Sequence, residues 1–189
     1  MYKCDIIASV KGSNKYEVFV LKKPEFKIGE RVVYPSHGVG EIIEIESQAV
    51  AGTTLEVYVI SFPHDKMTLR VPVSRANASG LRTLATKNDV NKVYDILNDK
   101  PKRGNKMWSR RAQEYEAKIN SGHLDAVAEV VRDLYKNVDN DRSYSERTIY
   151  ESALNRLATE IAVLENITTI IATERLVELL REKIAAAAA

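Results

Sequence analysis

Leu55-Glu56-Val57-Tyr58-Val59-Ile60-Ser61-Phe62-Pro63-His64-Asp65-Lys66-Met67-Thr68-Leu69-Arg70-Val71-Pro72 decides the fold. Two runs rich in β-branched and aromatic residues flank a polar stretch, Pro63 to Lys66. In the first, Leu55, Val57 and Val59 alternate with Glu56, Tyr58 and Ile60. In the second, Met67, Leu69 and Val71 alternate with Thr68, Arg70 and Pro72. A period of two on both sides of a turn signal predicts an antiparallel hairpin. Upstream, Ile43 and Ile45 alternate with Glu44 and Glu46, after the Gly38-Val39-Gly40 break. Short strands at this spacing between Phe26 and Val73 predict a small barrel or sandwich.

After about Thr86 the period becomes helical. Val90, Val93, Tyr94 and Leu97 share one helix face, as do Trp108, Ala112, Tyr115 and Ile119, and then Leu124, Val127, Val131 and Leu134. Gly122 reads as a helix stop. Ser143 to Glu146 has the pattern of a capping box opening a long helix through Tyr150, Leu154, Leu157, Ile161 and Leu164, and a last helix holds Leu176, Leu179, Leu180 and Ile184. Strands first and helices after predict an α+β chain of two domains, the β part over residues 26–80 and an all-α part over 87–184. Residues 1–25 are expected to form a loosely ordered arm, and Ala185–Ala189 is a low-complexity tail without a functional reading.

Composition narrows the function. The chain has 189 residues, 44% of them hydrophobic, enough apolar surface to fold. No stretch approaches the ~20 apolar residues of a membrane span, and Met1–Lys23 makes a poor signal peptide. A single cysteine, Cys4, fits a reducing cytoplasm. His37, His64 and His123 lie in separate turn-like contexts without metal-ligand spacing, and Gly38-Val39-Gly40 reads as a turn rather than a phosphate cradle. A Cys4–His37 nucleophile pair has nothing nearby to lower the thiol pKa. The expectation is a non-enzyme with no metal, cofactor, membrane or small-molecule substrate. The net charge of +2 is unevenly spread: Lys100, Lys102, Arg103, Lys106, Arg110 and Arg111 lie in twelve residues free of acidic groups. This segment is either a solvated linker or a phosphate-facing surface.

Phe26-Lys27-Ile28-Gly29-Glu30-Arg31-Val32-Val33-Tyr34-Pro35-Ser36-His37-Gly38-Val39-Gly40 resembles the opening of the polymerase-interacting domain of the CarD–CdnL family, a domain also found in transcription-repair coupling factors. Met67–Pro72 is similar to a later strand of that domain. Trp108-Ser109-Arg110-Arg111 and Val127-Ala128-Glu129-Val130-Val131-Arg132-Asp133-Leu134 resemble the family's helical DNA-binding domain. The resemblance implies a Tudor- or SH3-like barrel docking on the β subunit of bacterial RNA polymerase. It further implies a helical domain at the upstream edge of the promoter bubble, where a tryptophan wedges into the minor groove and stabilises the open complex. It places the protein in the cytoplasm, on the nucleoid through polymerase.

On this resemblance Met67, Thr68, Arg70 and Pro72 form the polymerase-binding strand. Pro72, which cannot donate to a ladder, marks an edge or strand end, and an edge strand can extend a partner's sheet. Gln48 stands where actinobacterial members use an arginine, so a charge contact there is weakened or rerouted. Trp108, Arg110, Arg111 and Lys106 form the DNA-binding set, while Gln113 replaces a basic residue of some relatives, which predicts weak, mostly non-specific DNA affinity that depends on tethering. Each reading has a plainer rival: Arg70 as a solvated surface charge, Trp108 as an ordinary core residue. Two alternatives stay open for the whole chain, a docking module without the wedge and a Tudor-type reader of peptide or RNA. The sequence leaves open the sign of regulation, the promoters, the role of residues 1–25 and the oligomeric state.

Overall fold

A computed structural model of the chain describes residues 25–50, 53–102, 107–135 and 143–188. Among them, five strands come first: β1 (Arg31–Tyr34), β2 (Gly38–Val50), β3 (Thr53–Phe62), β4 (Met67–Pro72) and, after a 3-10 turn at Val73–Arg75, β5 (Arg82–Thr83). They form one antiparallel sheet in the order β4-β3-β2-β1-β5. Its inner face buries Val32, Ile42, Tyr58, Ile60, Phe62 and Val71, with Phe26, Val73, Ala76 and Leu81 closing the ends. Phe26 meets Tyr58 edge-on at 5.7 Å between ring centroids, and its N–H donates to the Tyr58 hydroxyl. Gly40 is required here, because a Cβ would lie 2.7 Å from Cε1 of Phe62.

The inner face departs from simple alternation at one place. The register of β2 against β3 slips between Ile42 and Glu44, a β-bulge. Ile42 is therefore the fully buried core residue, whereas Ile43, expected to share a face with Ile45, is 49% exposed. Beyond the bulge the alternation resumes, with Ile45 inward beside the core and Glu44, Glu46 and Gln48 outward.

Five helices follow: α1 (Lys87–Asn98), α2 (Trp108–Asn120), α3 (Leu124–Leu134), α4 (Tyr144–Glu165) and α5 (Thr169–Ala188). The faces that the sequence predicts are the buried ones, down to Val93, Leu97, Tyr115, Ile119, Leu157 and Leu180. A full capping box opens α1: Thr86 Oγ1 accepts from the Asp89 N–H and Asp89 accepts from the Thr86 N–H. At α4 the Ser143 hydroxyl accepts from the Glu146 N–H. Helix α3 is buried almost all round, and even Arg132 is only 2% exposed, its Nε donating to Asp133 Oδ1 at 2.8 Å. The result is the predicted α+β architecture, a Tudor-like β domain followed by a helical one.

The two parts are joined by a polar seam rather than a loose linker. Arg82 of β5 donates twice to the Glu160 carboxylate of α4, at 2.7 and 2.9 Å, and twice to the Gly122 carbonyl in the α2–α3 turn. The Ala85 N–H completes the shell around Glu160. Arg156 of α4 reaches the other way, to the carbonyls of Pro35 and Ser36 in the β1–β2 turn and to that of Ile119. Gly122 has φ +73°, and a Cβ there would sit 3.2 Å from Pro35 Cα, so both conformation and contact demand glycine. His37 and His64, far apart in sequence, converge on Asp65 at 3.2 and 3.3 Å, and His64 Nε2 faces the Asn155 amide of α4. Glu160 is only 4% exposed, and breaking a buried pair leaves its partner desolvated. Glu160→Ala should therefore lower unfolding free energy by about 3 kcal/mol, measured by urea unfolding, with Glu160→Gln losing less.

Candidate edge-strand and nucleic-acid interfaces

β4 is one end of the sheet: its only ladder among the described residues is with β3, and no described strand pairs with the other side of its main chain. Met67 and Leu69 turn inward against the core, while Thr68 and Arg70 are exposed and Pro72 ends the strand opposite Val57. The expected placement of Met67, Thr68, Arg70 and Pro72 on one edge strand thus holds as geometry. Arg70 is not a free surface cation. Its Nε and Nη2 donate to Glu46 Oε2 and Oε1 at 3.1 and 3.2 Å, and Gln48 Nε2 donates to the same Oε2 at 3.0 Å. These bonds, Arg70's first, hold the Glu46 carboxyl below the usual carboxylate range, and the bond to Glu46 raises Arg70 in turn. The structure therefore brings Gln48 and Arg70 together around a residue that the sequence reading left out. Glu46 was visible as an outward neighbour of Gln48, but the β2–β3–β4 register that lets it reach Arg70 was not.

The second surface is the tip of α2. Trp108 opens the helix, as the sequence predicts, with Met107 at the N-cap. The indole is half-buried, one side packed against the helical core, and its Nε1–H donates to Ser145 Oγ at 2.9 Å. Arg111, one turn along, lays its guanidinium over the ring at 5.3 Å from the centroid and lies 3.6 Å from the Glu146 carboxylate. Its Nε is buried, without a hydrogen-bond partner among the described residues. Arg110 differs: it points outward, 69% exposed, in a loose 3.7 Å pair with Glu114. Lys106 lies outside the described residues, as does Arg103. Lys102 is described, and its ammonium is held by Glu129, which Lys118 also contacts; those two lysines depress Glu129 to about 2. Two exposed apolar side chains adjoin this tip in sequence, Met107 beside Trp108 and Tyr144 beside Ser145. Neither was in the predicted site.

α2 and α4 run parallel. Trp108 bonds Ser145 at their starts, and Ile119 accepts from Arg156 eleven residues later on both helices. The positive ends of both macrodipoles therefore point to the Trp108 tip, about 16 Å from the seam at 1.5 Å per residue.

Two family models match the chain. Residues 26–85 match the CarD-like/TRCF RID domain, and residues 92–177 match the CarD C-terminal domain. The chain belongs to the CarD family. It is also similar to the Bacillus subtilis protein named "Putative transcription factor YdeB", with 29% identity over 144 residues covering 76% of this chain and 94% of that protein. No helix among the described residues is long and apolar enough to cross a membrane, and none of their His, Cys, Asp and Glu side chains group as a metal site.

Trp108 is the only tryptophan, so its emission reports this tip alone. Arg111→Ala should uncover one ring face to water and shift the emission to the red, with the helical core intact by circular dichroism. Arg110→Ala, whose guanidinium stands away from the ring, should leave the spectrum unchanged.

Proposed function

We propose that this chain acts at transcription initiation, docking on the β subunit of RNA polymerase through the free edge of β4 and holding the upstream edge of the promoter bubble with the tip of α2. In this reading Thr68, Arg70 and Pro72 face the polymerase, with Met67 and Gln48 bracing them. Arg110 meets phosphate. Lys106 belongs with it in the same basic stretch. Trp108 wedges into the minor groove, prolonging the open complex. The chain thereby works in the cytoplasm, on the nucleoid, as a regulator rather than an enzyme.

One observation carries most of the weight: the single tryptophan stands at a helix N-terminus, half out of the core, beside an exposed arginine. A helix start offers free N–H groups and positive potential to phosphates. Here two parallel helices start side by side. An apolar wedge costs a few kcal/mol of unstacking on intact duplex, and a melting promoter edge has already met part of that cost. The pinned geometry supports the wedge, since Ser145 and Arg111 hold the indole in one orientation and less side-chain freedom is lost on insertion. Arg111 in this reading orients the ring, and Arg110 is the phosphate contact.

The second reading, a polymerase-docking module without a wedge, draws on the other half of the same observation, since Trp108 also packs on the helical core. The two separate in one experiment. Trp108→Ala should cost roughly 2 kcal/mol of stability, below the 3–5 kcal/mol of a fully buried aromatic, stay bound to polymerase, and shorten open-complex lifetime on a promoter. A loss of lifetime that merely follows the unfolded fraction would favour the second reading. Arg70→Glu should abolish co-purification with polymerase, because the reversed charge opposes the partner, while the fold stays intact and the thermal melt falls only slightly, since the exposed Glu46 pair that it breaks contributes little. Arg110→Ala should reduce the salt dependence of DNA binding by roughly one phosphate contact.

A further inference from the structure

The ion pair on the outer face of the sheet runs across a strand, and its direction has consequences. On that face Glu46 of β2 lies opposite Val57 of β3, and Val57 lies opposite Pro72 of β4. Glu44 lies opposite Val59, and Val59 opposite Arg70. The Arg70–Glu46 pair is thus a diagonal that passes over β3, from the edge strand to the strand beyond it. Beneath it, Val57 and Val59 point away from the inner core, yet they are only 5% and 3% exposed. Neither belongs to the core cluster of the sheet, and no helix has its main contacts with β3. The Arg70–Glu46 pair crosses this part of the sheet face.

In this position the guanidinium is directed inward, away from the free edge of β4. A strand added to that edge would meet the backbone of β4 and the outward side chains of Thr68 and Arg70. A carboxylate on such a strand reaches Arg70 only as Arg70 leaves Glu46.

We propose that Glu46 competes with the docking partner for Arg70, so that association exchanges an internal carboxylate for one on the partner strand. The proposal rests on the reading of β4 as the docking edge. It makes Glu46 the residue that sets how acidic, and how well placed, a partner segment must be. Gln48, which holds Oε2 of Glu46, keeps the internal acceptor in position. The partner chemistry is an extended segment that can pair with β4 and presents a carboxylate towards its outer face.

The test uses the full chain and core RNA polymerase, with affinity measured by biolayer interferometry. Glu46→Gln keeps the size of the side chain and removes its charge. Exposed ion pairs are weak, so polymerase binding should tighten by roughly twofold to fivefold. In an Arg70→Gln background the same substitution should have no effect, because nothing remains to be released. Weaker or unchanged binding of Glu46→Gln would overturn the competition, showing that Glu46 braces Arg70 for its partner or plays no part. Tightening that persists in the Arg70→Gln background would assign the gain to net charge and overturn it as well. The two readings fail separately. Wild-type affinity in Arg70→Glu removes the docking edge itself, whereas loss of binding in Arg70→Glu without a gain in Glu46→Gln removes only the exchange.

Discussion

The contact on which the arrangement depends is the hydrogen-bonded pair of Arg82 and Glu160, with Arg156 beside it. A small β domain and a helical bundle joined by a few residues would ordinarily move against one another. Here a nearly buried carboxylate, two guanidinium groups and three backbone carbonyls make bonds across the junction. Charged bonds of this kind are strongly directional, so they fix orientation as well as proximity. The β1–β2 turn is seated on the α2–α3 turn, and β4 is left at the opposite edge of the sheet. From the same seam α2 and α4 run outward in parallel to Trp108 and Ser145. The two candidate surfaces therefore belong to one rigid frame, and a partner held at one sets where the other can reach.

Most of the element pattern was legible from hydrophobic period alone. The helical faces from Val90 to Leu180 and the β3–β4 hairpin are local signals, and local signals survive in a single sequence. What escaped was non-local or too short to repeat. β5 is two residues long and becomes a strand only by pairing with β1. The bulge at Ile43 shifts the phase of β2 by one residue, a change that alternation cannot report from within. The seam joins residues 78 and 121 positions apart. Arg132 shows the limit of periodicity: the spacing of Leu124, Val127, Val131 and Leu134 marks one apolar face, but α3 has almost no solvent side and buries Arg132 as well.

The sites show the same division. Met67, Thr68, Arg70 and Pro72 could be assigned to one strand, and Trp108 to a helix start, because both are local facts. The roles within each set turn on contacts. Arg110 and Arg111 are adjacent and chemically identical, yet the helix turns one to water and the other over the Trp108 ring. The i, i+3 spacing of Trp108 and Arg111 was a readable hint; the Ser145 and Glu146 partners from α4 were not. Likewise Arg70 and Gln48 were named singly, and only the register of three strands shows that both answer to Glu46.

The outer edge of β4, unpaired among the described residues, has a bearing on solubility. An unpaired row of main-chain groups is a template for any extended chain, including the same strand of a second molecule, and such pairing, repeated, leads to filaments. Two features of this strand oppose it. Pro72 lacks the N–H that a ladder needs at the strand end, and a symmetric antiparallel pairing would bring two Arg70 side chains close together, a like-charge encounter. The strand is also short, six residues. Both features work against pairing of this edge with a second copy of itself.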